Sequence, residues 1–159
     1  MHTDKISFLK QDFLSLLQQL PLDTAPVWGT MTVHQMIEHL AGATRLSSGR
    51  FVGNKVLTAE EKLPAMQAFL MSDLPFPRSV VNHFLNEAGP APLKTKSIEE
   101  AVKELKSELD YFFLVVESDD KFEMLHPYFG RLNTEMNVQQ LYKHVVHHLT
   151  QFGVDVQSK

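Results

Sequence analysis

Between Ser97 and Ser118 the sequence "SIEEAVKELKSELDYFFLVVES" places Ile98, Val102, Leu105, Leu109, Phe112 and Val116 at alternating spacings of four and three. At about 100° per residue, this spacing lays all six along one stripe of an α-helix. Such a stripe has to be covered by other helices, so the chain is directed toward a helical bundle. Ser97 and Glu100 supply the N-cap signal that starts the helix.

The remaining segments agree. Ile6 to Leu20 carries Phe8, Leu9, Phe13, Leu16, Leu17 and Leu20 at helical spacing, and Pro21 stops it. In "TMTVHQMIEHLAGATRLSSG", Thr32 and Gln35 form a capping box and Gly49 closes the helix. A third helix is predicted from Thr58, capped against Glu61, with a kink or a restart at Pro64. Asp73 to Lys96 holds Pro75, Pro77, Gly89, Pro90 and Pro92 and reads as a long connection, with a short helix over Ser79 to Asn86. "HPYFGRLN" is a turn-rich link, and a last helix runs from Thr134 to Phe152 with Gly153 at its end. No strand is predicted. The expected fold is all-α: one domain over residues 1–159, an up-and-down four-helix bundle with one long crossover.

Composition removes several functions. There is no cysteine, which excludes disulfides, thiolate metal sites and a cysteine nucleophile, and fits a reducing compartment. Fifteen basic and nineteen acidic residues alternate without a basic stripe, so nucleic-acid binding is not expected. No apolar run suits a signal peptide or a membrane span, which points to a cytoplasmic protein without membrane contact. Phosphate-loop, dinucleotide and nucleophile-elbow motifs are absent, which argues against hydride and phosphoryl transfer.

Three of the eight histidines fall within five residues, in "HVVHH". On the last helix Val138, Leu141, Tyr142, Val145, Leu149 and Phe152 share one face. His147 lies roughly 180° from its centre and should face solvent, whereas His144 and His148 lie roughly 75° to 115° to one side, on adjacent turns. On the second helix Val33, Met36, Ile37, Leu40 and Thr44 mark the buried face. His39 lies about 120° to one side of it, and His34 lies on a polar flank near Glu38 and Arg45. Two facing helices can therefore aim His39, His144 and His148 at one point. An i, i+4 pair plus a third imidazole is a three-nitrogen metal site with a position left open for water or substrate. The competing reading is a partly exposed helix edge that binds nothing.

"MTVHQMIEHLAG", "HPYFGRL" and "YKHVVHHLTQFG" resemble the DinB/YfiT-like metalloenzyme superfamily, and more narrowly a branch described only as a domain of unknown function. The resemblance spans Met31 to Gly153. It implies a four-helix bundle with one long crossover and a metal held by His39, His144 and His148, with Zn or Ni foremost and Fe or Mn as further candidates. It also implies thiol-dependent transferase or hydrolase chemistry on a small-molecule substrate, a low-molecular-weight thiol as cosubstrate, and a homodimer. Other branches carry Gly-Gln after the histidine pair, where this chain has "LTQFG".

Further candidates flank the site. Gln35, one turn before His39, is expected to line the pocket. Gln151 either orients a ligand histidine or is a solvated helix end. His126 and Tyr128 precede the last helix; His126 either shapes the turn or supplies a fourth ligand that closes the site. Glu38 faces the polar side. Arg78, in the crossover, either meets an anionic substrate or is a solvated loop arginine. Two other function classes stand beside the enzyme: a metal- or ligand-binding bundle without turnover, and a metal-free dimerising interaction protein.

Overall fold

The computed structural model describes residues 2–51, 55–78 and 91–156. The chain begins with α1 (His2–Ser7), a π-helical turn (Phe8–Asp12) and α2 (Phe13–Gln19), then α3 (Val33–Ser47), a 3-10 turn (Glu60–Lys62), α4 (Leu63–Met71) and α5 (Ile98–Ser118). Two short strands, β1 (Glu123–His126) and β2 (Gly130–Asn133), precede α6 (Thr134–Gln151). The short helix expected over Ser79 to Asn86 lies outside the described residues.

The predicted stripes form the main core. Leu9, Phe13 and Leu17 from the N-terminal segment meet Met36, Ile37 and Leu40 of α3, Leu105, Leu109 and Phe112 of α5, and Leu141, Val145 and Leu149 of α6. Each such side chain contributes roughly 1.5–3 kcal/mol by leaving water. The caps at Thr32 and Ser97 form as read. Thr32 Oγ1 accepts from the Gln35 N–H at 3.1 Å while Gln35 Oε1 accepts from the Thr32 N–H at 2.9 Å, and Ser97 Oγ accepts from the Glu100 N–H at 3.1 Å. The N-terminal helix ends at an extended Leu20, the conformation that a following proline enforces.

Two expectations are corrected. Thr58 does not cap a helix; its hydroxyl donates to the Tyr128 carbonyl at 2.7 Å. The helical stretch begins with the 3-10 turn at Glu60, and Pro64 sits in the first turn of α4, where its missing N–H costs nothing. The second correction is the strand pair. "EMLHPYFGRLN" is an antiparallel hairpin with Glu123 opposite Asn133 and His126 opposite Gly130. Three residues, Pro127 to Phe129, make the turn, and Gly130 follows at φ +71°. A glycine in the left-handed region after a short loop is a known hairpin closure. Four-residue strands are too short for their alternation to stand out beside four helical patterns.

The hairpin builds a second core from Met124, Phe129 and Leu132 with Leu70 of α4. It also holds α4 and the segment before it. The Leu57 N–H donates to the Pro127 carbonyl at 2.7 Å, and Gln67 Nε2 reaches the Phe129 and Arg131 carbonyls at 2.9 and 3.1 Å. The returning end of the crossover is tied to α3 by Glu38, whose carboxylate accepts from the Lys94 and Thr95 N–H groups and the Thr95 hydroxyl. Burial pushes the Glu38 carboxyl up, but these hydrogen bonds prevail and hold it below the usual range. No helix among the described residues is long and apolar enough to cross a membrane.

Candidate metal centre

α3 and α6 bring His39, His144 and His148 together, with one ring nitrogen from each inside a 4.8 Å group. His39 Nε2 lies 2.9 Å from His144 Nε2, and His148 Nε2 lies 3.0 Å from the same atom. His148 is buried; His39 and His144 keep part of their surface open.

Hydrogen bonds set the proton on His148. Gln151 Nε2 donates to the Trp28 carbonyl at 3.1 Å, and a carbonyl can only accept, so the Gln151 amide is oriented with Oε1 toward His148. Oε1 lies 2.8 Å from His148 Nδ1, which must carry the proton. The neutral ring then turns the lone pair of Nε2 inward. This is the arrangement that fixes a histidine as a metal ligand.

The other two nitrogens cannot all be satisfied by one another. A neutral imidazole carries one proton, and His144 Nε2 faces two close neighbours. Full protonation is disfavoured. Burial, with the neighbouring His147, lowers His39 to about 4; burial, with His39 next, lowers His148 to about 3. His144 is held well below its ordinary value, first by burial and then by the rings around it. At neutral pH the cluster is three uncharged imidazoles, which suits a cation. Ligands of tetrahedral zinc stand about 3.3 Å apart, given bonds near 2.05 Å, so His39 and His148 would each move a few tenths of an ångström from His144. His144 is the weaker member, since its buried Nδ1 has no hydrogen-bond partner to fix its tautomer.

Gln151 is buried at 6% exposure, which removes the solvated reading. Gln35 commits its amide oxygen to the helix cap. His126 is buried, and its Nδ1 accepts the Tyr128 N–H at 3.1 Å, so it shapes the hairpin turn. It stands outside the three-nitrogen set, and burial lowers it to about 4. Tyr128 packs with its ring 5.9 Å from that of His126.

His147 corrects the helical wheel. It does not face open solvent: its ring meets Trp28 at 5.4 Å, Phe76 at 6.4 Å and His148 at 5.0 Å between centroids. The loop before α3 and the segment after α4 fold over that side, which a wheel for one helix cannot register. Trp28, Phe76 and Lys143 are the site neighbours that sequence reasoning missed. The one available signal was "WG", the chain's single tryptophan followed by glycine. Gly29 has φ +76°, and a Cβ there would stand 3.0 Å from Gln151 Nε2, so glycine permits the Trp28–Gln151 contact.

Replacing Gln151 with leucine is expected to weaken metal affinity roughly 10–100-fold while the helix content is unchanged. Competition against a chromogenic zinc chelator measures this; an unaltered affinity would remove Gln151 from any orienting role. No protein-family model matches this sequence, and no curated protein matches it.

Proposed function

We propose that this chain is a metal-dependent enzyme of the DinB/YfiT-like kind, with His39, His144 and His148 holding one divalent transition metal, Zn or Ni foremost. The observation that carries the proposal is the convergence of three neutral imidazole nitrogens, one of them oriented by Gln151 and Trp28. A bound metal supplies Lewis-acid activation of a thiol or water at an open position. His148 is held in the ligating tautomer, and the partly open His39 and His144 leave a way in for a small-molecule substrate. The chain has no cysteine, so a sulfur nucleophile comes from a separate low-molecular-weight thiol. An up-and-down bundle, a cytoplasmic setting and a homodimer belong to the same reading.

One observation favours a second reading, a metal-free bundle acting in binding or dimerisation. The 2.9 and 3.0 Å separations are within hydrogen-bond range, so one of the two pairs is held by a hydrogen bond without an ion. Elemental analysis of untagged protein purified without chelator separates the two. The expected result is about one equivalent of transition metal per chain, lost in a His144→Ala, His148→Ala double variant. Native protein that carries no metal and takes up neither added Zn nor Ni would leave the second reading standing.

A further inference from the structure

The chain has four arginines, and three of them pair with carboxylates: Arg45 and Arg50 with Glu108, and Arg131 with Glu123. Arg78 does not pair with any carboxylate of the described residues. Its guanidinium carbon instead lies 4.4 Å from the centroid of the Trp28 ring, and the residue is exposed. The same indole meets His147 edge-on at 5.4 Å, and the Trp28 carbonyl holds Gln151, which holds His148. Arg78 therefore stands one aromatic layer out from the three-nitrogen centre.

The surroundings carry little compensating charge. Burial chiefly lowers His147, and Arg78 adds to the effect through its charge. Among the described residues, no carboxylate is among the groups that act on His39, His144, His147 or His148. Lys143, the other nearby cation, already donates to three carbonyls at the end of α4. Stacking on an indole leaves the edge of a guanidinium free, and that planar fork matches a carboxylate or phosphate with two parallel hydrogen bonds. Holding the side chain in place beforehand also reduces the entropy lost on binding.

We propose that Arg78, held over the Trp28 ring, docks the oxyanion of the ligand this site takes, so that the ligand is a small molecule bearing a carboxylate or phosphate beside its metal-seeking end. The metal-seeking half rests on the function proposed above; the anion-docking half does not.

Trp28 is the single tryptophan, so its fluorescence reports directly on the stack. The full chain, metal-free and zinc-loaded, is titrated with 3-mercaptopropionate, with 3-mercaptopropionamide and with 2-mercaptoethyl phosphate. The expected result is a saturable change with both anions, about tenfold tighter than with the amide, as one charge-assisted pair would give. Arg78→Gln removes the discrimination and Arg78→Lys keeps part of it, while both variants take up zinc as the native chain does. The tighter of the two anions identifies which oxyanion the site prefers. Equal response to acid and amide, no response to either anion, or discrimination that survives in Arg78→Gln overturns the proposal. Discrimination with no tightening on zinc addition would leave the anion site standing and count against the metal centre alone.

Discussion

Acidification is expected to unfold the metal-free protein cooperatively near about pH 5. Four imidazoles packed against the core drive it, His126 and His148 buried and His39 and His144 partly so. His39 and His126 are lowered to about 4 and His148 to about 3, chiefly by burial, and His144 is lowered in the same direction for the same reason. A histidine in the unfolded chain titrates near about 6.5. Below that pH the unfolded chain binds protons that the folded chain refuses, so stability rises with pH across this window and falls as pH drops from 6.5 toward the folded values. His39, His126 and His148 then each cost about 2 kcal/mol at pH 5, or about 6 kcal/mol for the three, with His144 acting in the same direction, which is comparable with the whole stability of an ordinary domain. Far-UV circular dichroism of chelator-treated protein, followed from pH 8 to 3.5, checks this. Added zinc should displace the transition to lower pH, because it binds the neutral rings. A metal-free chain that stays folded at pH 4 would show that these rings accept protons without leaving the core.

Replacing Lys143 with methionine is expected to lower stability by roughly 2–3 kcal/mol, or a fall of roughly 6–10 °C in Tm for a domain of this size. The Lys143 ammonium is buried and donates to the carbonyls of Phe69 at 3.1 Å, Leu70 at 3.3 Å and Ser72 at 3.2 Å. A helix C-terminus leaves its last carbonyls short of internal donors, although Ser72 already meets that of Phe69 through its N–H and hydroxyl, and a cation there also meets the negative end of the helix. The ring of Phe69 lies 4.5 Å from the same ammonium and that of Phe76 lies 5.1 Å from it. Burying a charge is itself costly, and desolvation chiefly lowers the proton affinity of Lys143. Methionine escapes that cost but takes one donor from each carbonyl, leaving Phe69 to the Ser72 N–H and hydroxyl and leaving Leu70 and Ser72 to Gln139. The loss of donors is expected to prevail. Thermal unfolding measures the balance. A Tm equal to that of the native chain would mean that the two terms cancel and that Gln139 and Ser72 suffice to hold the end of α4.

Lys143 also illustrates what was hidden in the sequence. A lysine beside "HVVHH" reads as a surface charge, because a sequence does not show that a distant helix ends against it. His147 failed for the same reason: Trp28 and Phe76 arrive from segments far along the chain. The hairpin was missed because two four-residue strands offer only two buried positions each, yet Gly130 after a three-residue turn was its readable mark. Gln151 was placed at the edge of the site from spacing, but its orientation rests on a carbonyl 123 residues away.

The sequence by itself determined the long helices, the caps at Thr32 and Ser97 and the apolar faces, because periodicity and capping depend on residues within a few positions of each other. It also selected His39, His144 and His148, because a wheel shows which imidazoles flank a buried face. Only the tertiary structure decided that the three nitrogens meet, that Gln151 and Trp28 orient one of them, and that Arg78 stands over Trp28 with no carboxylate of the described residues paired to it. Those facts depend on how separate segments pack, and local spacing carries no record of packing.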